Sequence, residues 1–268
     1  MKLSVCGKGG SGKSTVVALL AGEAAARGYR VLVVDSDESN TGLFQMLGFD
    51  QSPAPLMDLV GGKVSLKEKM SQPNVLAEPQ IATKDIPQQH ALERNGLKLV
   101  TIGKILQSLE GCACPMGVLS REFLKKLSLS PDEMVIVDME AGVEHFGRGV
   151  ETSLDSVLIV VEPPLESVRV AEKIHELAAG SGIKNVWAVL NKIPSEEIGK
   201  KLEEGLEKMG IDVIGTIRLD DAIFESGMEG TPLERGKASD EMGHVLDRIL
   251  HGRVSVHNNK SVGSGEQV

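Results

Sequence analysis

Continuous apolar runs alternate with amphipathic stretches along most of this chain. Strands are predicted at 3–6, 30–34, 97–102, 134–137, 156–161, 186–190 and 213–217, and helices at 13–27, 118–127, 165–179, 196–209 and 240–250. The strand candidates are unbroken Val/Ile/Leu runs, as expected of strands covered on both faces and hence of a mainly parallel sheet. Their alternation with helices predicts an open, doubly wound α/β fold, in which ligands sit beyond the carboxyl ends of the strands. Residues 48–95 show no regular period. No linker, repeat or low-complexity block interrupts the interior, so one domain is expected over 1–251. The polar segment 252–268, with Asn258-Asn259 and Gly263-Ser264-Gly265, is expected to be a mobile tail.

The first strand–helix junction reads Gly7-Lys8-Gly9-Gly10-Ser11-Gly12-Lys13-Ser14 and satisfies G-x-x-x-x-G-K-[ST]. Such a loop turns successive backbone N–H groups around a phosphate at the positive end of a helix. Gly9, Gly10, Ser11 and Gly12 are therefore expected at the phosphates, with Thr15 beside them. Lys13 is placed on the β- and γ-phosphates and the Ser14 hydroxyl on Mg²⁺. A plain glycine-rich turn would not require Lys-Ser at its end. Lys8 is either a solvated loop lysine or a residue that reaches a nucleotide held by a second copy of the chain.

Carboxylates follow two later strands. Asp35 and Asp37 stand at i and i+2 past the second strand, where both can face one site. Asp138 ends the run Met134-Val135-Ile136-Val137, a Walker-B pattern that puts a carboxylate at the metal. Gly142, four residues on, suits a backbone that approaches a γ-phosphate and pivots when it leaves. Asn191 and Lys192 close the strand at 186–190, and the Asn amide offers both a donor and an acceptor to a base edge.

Net charge is −9 with Lys and Arg scattered, and the chain has only five Phe, one Tyr and one Trp. Neither a basic face nor a base-stacking platform is expected, and so no nucleic-acid partner. No stretch approaches the roughly 20 apolar residues of a membrane helix, so no membrane partner is expected either. The N-terminus reads as a strand rather than a signal peptide, and three cysteines do not make a disulfide scaffold. A reducing, cytoplasmic setting fits this usage.

Two of those cysteines form Cys112-Ala113-Cys114-Pro115. Pro115 biases Cys114 toward an extended conformation, which projects the i and i+2 thiols to one side. A disulfide between them would close a strained small ring. Two thiolates supply half of a four-coordinate site, and a two-fold dimer would complete it with the same pair from its second subunit. The completed site suits Zn²⁺, Ni²⁺ or an iron–sulfur cluster. Cys6 reads as a core residue, and His145 as a core or switch-adjacent one.

The run Lys8-Gly9-Gly10-Ser11-Gly12-Lys13-Ser14 resembles the loop of the deviant Walker-A ATPases, K-G-G-x-G-K-[ST], a family that includes the nitrogenase iron protein, MinD and ParA. The resemblance implies a single-domain P-loop NTPase fold and an ATPase that sandwiches two ATP between two protomers. Lys8 would then cross to the partner's phosphates. Asp37 would orient the hydrolytic water, Asp35 and Asp138 would serve Mg²⁺, and Asn191 would read adenine. Arg218 stands where the family usually has Pro. The cysteine pair, together with Asp138-Met139-Glu140-Ala141-Gly142-Val143-Glu144-His145, is similar to CooC-type ATPases. That likeness implies a homodimeric metallochaperone binding Ni²⁺ (or Zn²⁺) through Cys112 and Cys114, with carbon monoxide dehydrogenase as client. An iron–sulfur reductase like the nitrogenase iron protein and a MinD/ParA-type spatial organiser are the alternatives.

Overall fold

The computed structural model describes residues 1–69, 75–104 and 114–258. In chain order it builds β1 (Lys2–Gly7), α1 (Lys13–Ala26), β2 (Arg30–Asp35), α2 (Leu43–Met46), a 3₁₀ turn (Leu56–Val60), α3 (Gly62–Lys69), β3 (Ile81–Ala82), β4 (Leu92–Arg94) and β5 (Leu97–Thr101). There follow α4 (Cys114–Lys126), β6 (Leu127–Ser128), β7 (Glu133–Asp138), α5 (Glu144–Gly147), β8 (Ser156–Val161) and α6 (Leu165–Gly180). The chain continues through β9 (Asn185–Ile193), α7 (Glu196–Lys208), β10 (Asp212–Arg218), α8 (Asp221–Glu229) and α9 (Lys237–Asn258).

The unbroken apolar runs behave as strands between two cores. Leu3, Val5, Val31, Val33, Met134, Ile136, Leu158 and Val160 face the layer of α1 and α9, whereas Cys6, Leu32, Val34, Val135, Val137, Val157 and Ile159 face the opposite layer with α4 and α6. This alternation by two splits each strand between the layers. The eight-stranded sheet has the order β10-β9-β8-β1-β7-β2-β5-β4, parallel throughout except for β4 at one edge. A short second sheet pairs β3 with β6. Helix α1 is apolar nearly all round because it lies between the sheet and α9. Its buried Glu23 is met by the guanidinium groups of Arg27 at 3.1 Å and Arg235 at 2.9 Å.

The structure differs from the sequence pattern in four places. Helix α4 starts at Cys114 rather than at 118, so Cys114 is helical and not extended. Proline is tolerated in a first helical turn, where its missing N–H would have no partner in any case. Strand β9 runs on to Ile193, so Asn191 and Lys192 lie within it, and Lys192 adopts a left-handed φ of 58°. Residues 48–95, given no element from sequence, contain the 3₁₀ turn, α3, β3 and β4. Helix α9 also continues to Asn258, into the segment expected as a tail.

Candidate nucleotide site and its switches

The ends of β1, β2, β7, β8 and β9 converge at the carboxyl edge of the sheet, around the loop from Gly7 to Ser14. Gly12 caps α1 with φ 92°, and a Cβ there would stand 2.3 Å from the Asn191 amide nitrogen, so the position excludes any side chain. Asn191, 3% exposed, donates from Nδ2 to the Ser11 carbonyl at 2.8 Å. One N–H of this amide thus holds the loop. Lys192 donates to the Gly10 carbonyl at 2.5 Å, which ties its left-handed turn to the same loop. Lys13 is buried in the first turn of α1, with Ser14 and Thr15 half-buried after it.

Beneath the loop lies an acidic centre. The Ser14 hydroxyl donates to Asp138 Oδ2 at 2.6 Å, and Asn40 Nδ2 donates to Ser14 Oγ at 2.5 Å and to Asp138 Oδ2 at 3.3 Å. Asp35 and Asp138 are direct register partners on adjacent strands. Burial, and then the neighbouring Asp35, push the Asp138 carboxyl up to about 7; burial pushes Asp35 up to about 6 against the pull of Lys104. Oδ1 of each has no hydrogen-bond partner among the described residues. Buried carboxylate oxygens without partners beside a serine hydroxyl make an all-oxygen donor set that fits a hard divalent ion. Asp37 Oδ1 accepts from Ser39 N at 2.9 Å, Ser39 Oγ at 2.6 Å and Asn40 N at 3.3 Å. The expected water-orienting acid is therefore folded into its own turn.

A family model for the CobQ/CobB/MinD/ParA nucleotide-binding domain matches residues 3–233. The chain belongs to that family. It is 32% identical over 262 residues to the carbon monoxide dehydrogenase accessory protein CooC of Rhodospirillum rubrum, covering 93% of this chain and 97% of that one. An uncharacterised ATP-binding protein of Methanocaldococcus jannaschii is 44% identical over 239 residues, covering 87% and 94%. Among solved structures, MinD of Aquifex aeolicus superposes with a TM-score of 0.68 at 20% identity, covering 93% of this chain and 96% of that one. MinD of Pyrococcus horikoshii, solved with Mg-ADP, gives 0.68 at 17%, covering 92% and 95%. The single-domain P-loop fold with its mostly parallel sheet is thus that of the MinD/ParA structures.

The segments after β2 and after β7, which the resemblance to the deviant Walker-A ATPases would make switch I and switch II, border the phosphate loop. In switch II, Gly142 has φ 85° and donates its N–H to the Gly7 carbonyl at 3.1 Å. Beyond it, His145 is 2% exposed, with Nε2 3.4 Å from Cys6 Sγ, and burial lowers its pKa to about 3. It is a neutral core histidine, as is Cys6 a core cysteine. Both switches touch α4: Ser36 and Ser120 hydroxyls are 2.9 Å apart, and Arg148, paired with Glu140, packs over Gly117. Glu38, buried beside Glu140, has its pKa raised mainly by desolvation.

Lys8 pairs with Glu162 Oε1 at 3.1 Å, and Lys192 reaches the other oxygen of that carboxylate at 3.5 Å. Asn40, Lys104 and Glu162 went unpredicted. Asn40 alone carried a signal, as an Asx residue closing the acidic turn after β2. Cys112 lies outside the described residues. Cys114, exposed at the start of α4, is joined in a disulfide. Among the described residues no group of three or more His, Cys, Asp or Glu is placed to hold a metal, and no helix is long and apolar enough to cross a membrane.

Proposed function

We propose that this protein is an ATP-hydrolysing metallochaperone that delivers nickel to carbon monoxide dehydrogenase. Residues 1–251 serve as the ATPase domain, with 252–268 an appendage to it, and the protein works in the cytoplasm. The observation that carries the reading is the place of Cys114, which opens α4, a helix that both switch segments touch. The likeness to CooC over nearly the whole of both chains supports the client.

ATP binds with its phosphates in the loop 9–15, where Lys13 offsets their charge and Gly142 lies within the first contacts of switch II. Ser14, Asp35 and Asp138 would hold Mg²⁺, which draws charge from the β- and γ-phosphates. Asp37, released from its turn, orients water toward the γ-phosphorus; the P–O bond to ADP breaks as the new one forms, and the proton leaves with inorganic phosphate. In a homodimer, Lys8 reaches the partner's nucleotide. Reduced Cys112 and Cys114 from each subunit then take up Ni²⁺ (or Zn²⁺) as cargo. A helix N-terminus favours the Cys114 thiolate. Loss of the γ-phosphate contact at Gly142 loosens the pair and frees the metal.

Reduced protein loaded with ATP and Ni²⁺ should run as a dimer with one nickel per two chains, by sizing and metal analysis. Replacing both Cys112 and Cys114 by Ser should remove the nickel and leave ATP binding intact. Stoichiometric nickel in that double variant would overturn the ligand assignment, and iron with acid-labile sulfide in the parent would move it to the reductase class.

A further inference from the structure

Lys104 stands between β5 and the acidic centre and belongs to neither the phosphate loop nor a switch motif. Its side chain is 11% exposed, and its ammonium lies 2.7 Å from Asp35 Oδ2 on a side chain that is itself 5% exposed. The same ammonium donates to the Asp37 backbone carbonyl at 2.5 Å. Asp35 and Asp138 face each other in register, and the Oδ1 atoms of both are buried with no partner among the described residues. One ammonium therefore serves one oxygen of a donor set that could surround a divalent ion together with Ser14. A divalent cation at this set would meet a fixed positive charge already bound to Asp35, in a place too sheltered for salt to screen the repulsion.

We infer that Lys104 is a specificity-determining residue of the magnesium site, whose ammonium competes with the divalent cation for the Asp35 carboxylate. Loading of Mg²⁺ with nucleotide loosens Lys104 from Asp35 and from the Asp37 carbonyl together. The second bond lost is to the Asp37 main chain; the Asp37 carboxylate keeps its bonds from Ser39 and Asn40. The inference deepens the nucleotide reading of the same site and rests on it.

The test uses the full chain, reduced and loaded with ADP, with Mn²⁺ binding followed by electron paramagnetic resonance. Lys104→Met should bind Mn²⁺ about ten-fold more tightly than the parent, while Lys104→Arg stays near it. In an Asp35→Asn background the Lys104→Met gain should vanish, because the contested carboxylate is gone. Unchanged or weaker Mn²⁺ binding by Lys104→Met, or an equal gain without Asp35, overturns the competition. Should Lys104→Met fail to fold, the unaltered chain decides. The ¹⁵N signal of the sheltered Lys104 ammonium should shift when Mg²⁺ is added to the ADP complex, and a signal that stays put overturns the inference. ADP binding measured in chelator separates the two readings. If ADP does not bind at all, the nucleotide reading falls and takes this one with it; if it binds with Mn²⁺ affinity indifferent to Lys104, only the competition falls.

Discussion

His145 shows how a single buried side chain sets a pH response. In the unfolded chain an imidazole titrates near 6.5, whereas burial first, then the charges of Arg148 and Lys13, hold the folded group down to about 3. Between those values the unfolded chain binds more protons, so the stability His145 contributes above pH 6.5 is lost as the pH falls. The parent should lose roughly 2 kcal/mol from this group between pH 6.5 and 5. His145→Gln should lack that share while keeping a polar contact to Cys6. Asp35 and Asp138, with raised pKa values, act with the opposite sign, but equally in both proteins. Urea denaturation at the two pH values checks the difference; parallel losses would mean the folded imidazole is not held neutral. At this scale the loop Gly7–Ser14 and the Asp138 that ends an apolar run were legible, because each sits at a fixed offset from a strand. Lys104 and Glu162 were not, since a lysine or glutamate after a strand has no period and its partner lies far away in sequence.

Helix α4 runs from Cys114 to Lys126 and meets the residues after β2 and β7. It buries Met116, Gly117, Leu119, Ser120, Phe123 and Leu124, so it packs firmly against the core on the face that also meets Ser36 and Arg148. A Cβ on Gly117 would fall 2.5 Å from Arg148 Cδ, which obliges the guanidinium to swing away from Glu140. Arg148 is long and flexible, so Gly117→Ala should cost no more than about 1 kcal/mol of stability. Its effect should fall on coupling. Nickel affinity in the presence of a non-hydrolysable ATP analogue should no longer differ from that in ADP, with nucleotide affinity unchanged. An undiminished difference in a nickel titration would remove α4 from the link. The sequence pattern shows the body of this helix but not its start, because Pro115 both disfavours helix at the residue before it and fits a first helical turn. The hairpin of β4 and β5 was also within reach. Asn95-Gly96, with φ values of 50° and 78°, is a left-handed pair of the kind that closes two-residue hairpins, yet β4 is too short to show a strand period. The central strands were plain, since burial on both faces leaves nothing but apolar residues to read.

Across the whole molecule, the strand order brings residues distant in the chain to one edge, and the strongest consequence concerns Lys8. The end of β8 lies beside β1, so Glu162 can hold Lys8 and Lys192 at once, with Lys8 30% exposed. In the proposed dimer the partner's phosphates must win Lys8 from Glu162, which makes the carboxylate an internal brake on association. A partly exposed ion pair contributes only about 1 kcal/mol, so the brake is light. Glu162→Gln should therefore lower the ATP concentration for half-dimerisation by about three- to five-fold in sedimentation experiments. Lys8→Ala should remain monomeric in the same experiment, since removing the brake is not the same as removing the hand. The two variants together separate the roles. If Glu162→Gln needs as much ATP as the parent, the pair does not restrain Lys8. If Lys8→Ala still dimerises, the lysine does not cross to the partner, and the acidic pairing within one chain is its whole function.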